Sequence, residues 1–211
     1  MDILWMLVLL TVILIAIAIP FVVRSFVWNS IIKKMQKGNF KEALHQMETS
    51  SLYKLFFSEY ERKYNFLRAY ISSKDDKKVK STCTELLHMN LNHKQAYQVS
   101  SLTFFYFLEA QDKEMCDKLL DHIEFSGDQD EIAYDKMLYR ILIENKSEDI
   151  EFLQNLLKDK TEKEDQGMLQ YLIGVQYMYL NDTKNANLYL NKAKNNLKGT
   201  PYHKKIKDLL A

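Results

Sequence analysis

The sequence has little glycine and proline, with 5 Gly and 2 Pro among 211 residues. A β-rich fold needs many tight turns, and those turns draw heavily on these two residue types. Their scarcity therefore argues against a sheet protein and favours long helices joined by short polar loops. The bulky apolar residues that such helices pack are abundant, with 13 Tyr, 11 Phe and 9 Met.

Cysteine is also scarce, since the chain has only Cys83 and Cys116 and no CxxC pair. Two isolated cysteines in predicted helices are typical of small, buried apolar residues. A disulfide between them is the alternative, and it would require an oxidising compartment.

Neither sign of charge is in excess, because 29 basic and 28 acidic residues leave a formal net charge of +1. Lys and Arg are mixed with Asp and Glu along the body of the chain, so we predict no face that binds nucleic acid. The aromatic run FFYF at residues 104–107 could stack bases, but its place inside a predicted helix favours core packing.

Signals of catalysis are missing. The sequence contains no GxSxG motif, no glycine-rich phosphate loop and no Walker-type lysine motif. No two of its histidines have the i, i+4 spacing of a helical metal site, and its acidic clusters lack the order of a calcium loop. We therefore predict no catalytic residue, no metal site and no cofactor, and a protein that is not an enzyme.

One long hydrophobic run stands at the start of the chain. Residues 3–23 read ILWMLVLLTVILIAIAIPFVV, and only Thr11 and Pro20 interrupt the apolar residues. About 20 apolar residues in a helix span the hydrocarbon core of a bilayer, so we predict a transmembrane helix in residues 1–23. A cleaved signal peptide is the alternative, because AIA at residues 16–18 resembles a cleavage site. The run is long for a signal peptide, and Asp2 with no Lys or Arg precedes it, which argues against cleavage.

Basic residues follow the hydrophobic run. Such a flank is retained on the cytoplasmic side of a membrane, which predicts a single-pass protein with an external N-terminus and a cytoplasmic body. The same residues could also contact anionic headgroups. They are Arg24, Lys33, Lys34, Lys37 and Lys41.

The remainder of the chain has the periodicity of helices, because apolar residues recur at three- and four-residue steps. Near the C-terminus the spacing of small and bulky residues resembles one unit of a tetratricopeptide repeat (TPR), which is about 34 residues long. The unit lacks the Trp and Pro common in this family, since Gln170 and Lys198 stand there. The matching residues are Gly174, Tyr177, Ala186, Leu190 and Ala193.

The stretch KGNFKEAL at residues 37–44 resembles the turn and second-helix start of the same repeat. Between these two units only the period is visible, at steps of 34 to 37 residues. The resemblance implies an all-α protein in which about five helix pairs over residues 24–200 stack as an α-solenoid, with a capping helix at 201–211. The positions equivalent to Ala186 would be Ala43, Val79, Cys116 and either Glu151 or Phe152.

The resemblance also implies a concave groove lined by the first helix of each pair. Its aromatic, Met and basic side chains would bind a protein or peptide, and a basic pair would suit an acidic residue or a carboxylate. The alternative is that these side chains only pack between helices. The carboxylate clamp of the family is not reproduced, since Trp28 and Ile32 replace the expected Lys and Asn. The predicted groove residues are Tyr64, Arg68, Ser101, Phe105, Lys136, Arg140, Met168, Tyr171, Val175 and Met178.

Together these features predict a membrane-anchored scaffold or adaptor that binds protein or peptide partners, including other membrane proteins. The alternative is an extracytoplasmic subunit of an envelope-assembly, chaperone-like or secretion complex, which requires inverted topology or cleavage. The high content of Lys, Asn, Ile and Tyr suggests an AT-rich bacterial genome.

Overall fold

The structure, a computed structural model, describes residues 3–211. All regular secondary structure in that range is helical, which confirms the all-α class expected from the scarcity of Gly and Pro. The helices within this range are α1 (Ile3–Gln36), α2 (Phe40–Thr49), α3 (Ser51–Phe56), α4 (Glu59–Ser73), α5 (Asp76–Leu87), α6 (His93–Glu109), α7 (Lys113–Ser126), α8 (Gln129–Leu142), α9 (Ile150–Asp159), α10 (Lys163–Tyr179), α11 (Thr183–Asn196) and α12 (Pro201–Leu209).

Helix α1 contains the apolar run and continues beyond it without a break, with Pro20 inside the helix. Within Val8–Gln36, an 18-residue window has a mean hydropathy of 2.5 and none of it is buried by the rest of the protein. The helix is therefore long and apolar enough to cross a membrane. Asp2, which was used to argue against a cleaved signal peptide, lies outside the described residues.

Four of the turns between helices follow one local rule. A residue with positive φ ends one helix, and the next residue, Asp or Asn, is the N-cap of the following helix. Positive φ is the common way to end a helix, and Asp and Asn are among the best N-caps. The four turns are Gly38–Asn39, Lys74–Asp75, Gln111–Asp112 and Asn181–Asp182. Between α8 and α9 the turn is longer, with positive φ at Asn145 and the N-cap at Asp149.

The fourth residue after each of these five N-caps is buried, and its backbone N–H donates to the carbonyl of the N-cap residue. One sequence prediction is corrected here. Glu151 and Phe152 are both exposed, and Leu153 takes the buried position because α9 begins after a longer loop capped by Asp149. The buried residues are Ala43, Val79, Cys116, Leu153 and Ala186.

The described chain divides into two compact units, one up to Thr103 and one from Phe104 to Ala211. In the first unit, the C-terminal part of α1 packs against α2 and α3. Val27 and Ile31 of α1 lie in a buried cluster with Ala43, Met47 and Tyr53, among other residues. A single helix therefore carries both the apolar run and part of this core.

In the second unit, α10 and α11 pack closely because glycines of α10 lie at the contact between them. A Cβ atom added to Gly174 would lie 2.7 Å from Cγ of Leu190, and one added to Gly167 would lie 2.7 Å from Cγ of Leu197. The interpretation of Gly174 as a helix contact point is confirmed. Gly167 makes an equivalent contact that the sequence pattern did not reveal.

The two cysteines are buried and unbridged, Cys83 in the first unit and Cys116 in the second. Burial raises the pKa of the Cys83 thiol, and burial with the nearby carboxylates raises that of Cys116 to about 12. The prediction that both are small buried apolar residues is confirmed.

Candidate partner-binding surfaces

A groove lies between α1 and α4 in the first unit and has a volume of about 410 Å³. Two of the predicted groove residues, Tyr64 and Arg68, line it. We call it the α1–α4 groove. Its lining residues are Phe21, Arg24, Ser25, Trp28, Phe57, Glu61, Tyr64, Asn65 and Arg68.

One wall of this groove is fixed by Arg24. Its guanidinium pairs with the Glu61 carboxylate and also donates to the Phe56 carbonyl, with Nη1 3.4 Å from the oxygen. The same guanidinium lies 4.6 Å from the centre of the Phe57 ring. Partial burial raises the pKa of Glu61, but hydrogen bonds from Arg24 and Ser58 outweigh it, and the pKa is lowered overall. Glu61 is therefore held ionised at neutral pH.

A second contact between α1 and α4 in the groove involves Arg68. Arg68 is an exposed residue, and its guanidinium lies 5.6 Å from the centre of the Trp28 ring. Tyr64 stacks on Tyr60, with ring centres 5.7 Å apart. The groove therefore combines two guanidinium groups with one carboxylate, and aromatic rings form part of its lining.

A second cavity, of about 430 Å³, lies between α8 and α9 in the second unit. We call it the α8–α9 cavity. Phe152 is 55% exposed and Tyr134 is 41% exposed at its lining. The predicted groove residue Arg140 also lines it. The full lining is Asp130, Ala133, Tyr134, Met137, Arg140, Asp149, Phe152 and Leu156.

The basic pair predicted to receive an acidic ligand is already engaged within the protein. Arg140 pairs with Asp149 at 2.5 Å and with Glu148 at 3.2 Å. The hydrogen bonds that Arg140 donates to the Asp149 carboxylate are the main cause that raises the pKa of Arg140. Lys136 pairs with Glu124 at 2.8 Å. An incoming carboxylate would therefore compete with three carboxylates of the chain itself.

The predicted groove residues of α10 do not form an exposed face. Tyr171 is 1% exposed and Val175 is 6% exposed, so the expectation that they are accessible is wrong. Helix α12 explains the burial of Tyr171. The Tyr202 ring lies 5.5 Å from that of Tyr171, and Nζ of Lys205 lies 5.8 Å from the Tyr171 ring centre.

The predicted groove residues Met168, Met178, Ser101 and Phe105 are either exposed or half-buried. Met168 and Met178 lie on α10, where Met178 is exposed and Met168 is half-buried. Ser101 and Phe105 lie on α6, where Phe105 is exposed although Phe104 and Phe107 of the same FFYF run are buried. The core role predicted for that run is confirmed for these two buried rings.

Within residues 3–211, no cluster of three or more His, Cys, Asp or Glu side chains has the arrangement of a metal site. No protein-family model, curated protein or solved structure matches this chain. The candidate surfaces are therefore defined by their own geometry.

Sequence reasoning missed several residues of both surfaces. Arg24 was interpreted as a topology signal, although it forms a wall of the α1–α4 groove through Glu61. Tyr134 and Phe152 were not predicted to bind a partner. In the sequence, each is an aromatic residue among charged neighbours, in EIAYDK and SEDIEFLQ, and this pattern is a weak signal of an exposed ring.

Proposed function

We propose that this protein is a membrane-anchored scaffold or adaptor with TPR-like helix pairs and no catalytic role. The observation that carries the proposal is a series of five helices that each have Asp or Asn as the N-cap residue. The series begins immediately after α1, the apolar helix that also contributes residues to the core of the first unit. Such repeated pairs bury their faces against neighbours and leave surfaces for partners.

The period of the observed helices supports the TPR-like assignment. Helices α4, α6, α8 and α10 begin at Glu59, His93, Gln129 and Lys163, so successive starts lie 34, 36 and 34 residues apart. A TPR unit is about 34 residues long and consists of two antiparallel helices. On this proposal the pairs stack as an α-solenoid over residues 24–200.

The proposed partner is a protein or peptide that binds the α8–α9 cavity with apolar side chains. Aromatic and Arg residues are enriched at protein interfaces, and the cavity lining provides both kinds in Tyr134, Phe152 and Arg140. The volume of the α8–α9 cavity lies within the range of about 300–1,000 Å³ found for ligand pockets. Because Arg140 is already paired, we expect apolar contacts to contribute more than charge.

Proximity labelling tests the partner proposal. A labelling enzyme fused after Ala211 would be compared in the native chain and in Phe152→Ser and Leu188→Ser variants. Phe152 and Leu188 are exposed to similar extents, 55% and 49%, and only Phe152 lines the cavity. We expect F152S, and not L188S, to lose a specific set of labelled proteins. Identical sets in all three chains would contradict the proposal.

The basic flank of α1 supports a cytoplasmic body, and the alternative is a body outside the cytoplasm. Thiol labelling can distinguish the two, but Cys83 and Cys116 are buried and cannot serve as probes in the folded chain. An Ala211→Cys variant supplies an exposed thiol. We expect a membrane-impermeant maleimide to label it only after the cells are opened, and labelling of intact cells would favour the extracytoplasmic alternative.

A further inference from the structure

We propose that the α1–α4 groove binds the phosphate of an anionic phospholipid headgroup. The proposal rests on the membrane anchoring described above and assigns a ligand to a groove that the protein partner does not need. It also gives Tyr64 and Arg68, which the sequence assigned to a peptide groove, a different ligand.

The position of the groove along α1 matches the headgroup layer. Its residues on α1 run from Phe21 to Trp28, across the end of the apolar run at Val23. Seven residues of helix rise about 10 Å. The headgroup region adds about 5–8 Å to each side of the hydrocarbon core. A bilayer spanned by α1 therefore places the groove beside the headgroups.

The charge of the groove suits a phosphodiester. Glu61 is already paired with Arg24, whereas Arg68 is exposed and stacks on Trp28. A guanidinium can donate two parallel hydrogen bonds to a phosphate, and it binds phosphate better than an ammonium does where both bonds form. Two guanidinium groups and one carboxylate leave one positive charge for an anionic headgroup.

The aromatic lining favours a lipid over an acidic peptide. Trp and Tyr are enriched at the membrane–water interface because they have an apolar body and a polar tip. Phe21, which is exposed and belongs to the apolar run, lines the same groove as Trp28 and Tyr64. A soluble peptide would have to enter a layer already occupied by headgroups and place its charge beside Phe21.

Fluorescence of the full chain can test the proposal, because the sequence has only Trp5 and Trp28. A Trp5→Phe chain in zwitterionic detergent micelles leaves Trp28 as the reporter. It would be titrated with dioctanoyl phosphatidylglycerol, dioctanoyl phosphatidylcholine, inorganic phosphate and a glutamate-rich peptide. We expect a saturable change in emission with phosphatidylglycerol alone.

Variants of the W5F chain identify the group that binds. We expect Arg68→Gln to weaken phosphatidylglycerol binding about tenfold or more, since it removes a charge-assisted contact. The phosphatidylglycerol affinity of an Arg68→Lys variant should lie between those of the W5F chain and its R68Q variant, because Lys keeps the positive charge but cannot donate two parallel hydrogen bonds. Lys54→Gln removes the same charge from an exposed position of the first unit outside the groove, and we expect a change below about twofold.

Four results would overturn the headgroup assignment. They are equal changes in Trp28 emission with the two lipids, equal phosphatidylglycerol affinity of the W5F chain with and without R68Q, a saturable emission change with inorganic phosphate, or a saturable emission change with the peptide alone. Alkaline extraction of membranes tests the anchor separately. Release of the chain into the soluble fraction would contradict the proposed anchoring. A chain that stays in the membrane but shows no preference for phosphatidylglycerol would contradict only the headgroup site.

Discussion

Helices α10 and α11 approach each other at Gly174, so adding one methyl group there tests their packing directly. In a Gly174→Ala variant the new Cβ would lie 2.7 Å from Cγ and 2.9 Å from Cδ2 of Leu190. Leu190 is 1% exposed and cannot move into solvent. We therefore expect the variant to be strained.

Two opposing effects set the magnitude. Overpacking a filled core costs about 1–3 kcal/mol. Ala is a better helix former than Gly, which returns about 0.8–1 kcal/mol. The free energy of unfolding should therefore fall by about 1 kcal/mol, which for a chain of this size lowers Tm by roughly 2–4 °C.

Urea unfolding of the full chain in mild detergent, followed by helical circular dichroism, measures this change. Hydrogen exchange of peptides from α10 and α11 locates it. Asn187→Ala, at an exposed position of α11, is the control, because it improves helix propensity without entering a helix contact. It should stabilise the chain by up to about 0.7 kcal/mol.

The sign of the change in unfolding free energy caused by G174A shows whether α10 and α11 approach each other closely at this position. A variant that is about 1 kcal/mol more stable than the native chain would show the full propensity gain and refute the close approach. The Leu190→Ala variant gives an independent test. Removing Leu190 should be less costly in the G174A chain than in the native chain, with a coupling of about 1 kcal/mol or more.

Three further predictions concern polar groups and thiols. Because the pKa of Glu61 is lowered from its ordinary 4.5, its stabilisation is present above that value and is lost as pH falls below it. We expect Glu61→Gln to lower unfolding free energy at pH 7 by about 0.2–1 kcal/mol and to flatten its acid dependence in pH-series urea melts. Gln176→Leu leaves the buried N–H of Asp149 without its acceptor, and we expect the same melts to show a loss of about 1–3 kcal/mol. Ellman's reagent should detect no thiol in the native chain at pH 8 and both thiols in urea, whereas reaction of the native chain would contradict their burial.

Much of the fold follows from local sequence signals. The scarcity of Gly and Pro predicted helices, and three of the observed turns stand at short polar breaks that can be seen in the sequence, at residues 37–39, 110–112 and 181–182. Each break has its Asp or Asn immediately before the next helix, which is a local N-capping preference. These capping signals do not depend on distant contacts, and the helix starts could therefore be predicted from the sequence.

The longer turn between α8 and α9 shows where the local rule fails. Asp149 caps α9 without a side-chain hydrogen bond to its backbone, because its carboxylate pairs with Arg140. Its own N–H donates to Gln176, 27 residues further along the chain. The position of the buried Leu153 thus depends on tertiary partners, and the period alone placed it one or two residues too early.

The candidate surfaces were harder to predict than the helices. Tyr171 and Val175 have the spacing of a groove face, but helix periodicity only shows which residues share a side. Whether that side meets solvent or another helix depends on packing, and for Tyr171 the covering helix is α12. Arg24 likewise acquires its role from Glu61, 37 residues away.

The continuity of α1 would link the proposed membrane anchor to the first unit. Val27 and Ile31 are buried in the core, and Phe26 beside them is 76% exposed. Because side chains on one helix keep fixed directions, burying Val27 in the core fixes the direction in which Phe26 points. A tilted α1 in a membrane would lower Phe26 into the interface on one side while Arg24, held by Glu61, faces the groove on the other. Tilts of up to about 40° occur in transmembrane helices. On the proposed anchoring, the rotation of α1 about its axis would therefore determine both which residues meet lipid and how the α1–α4 groove is presented to the headgroups.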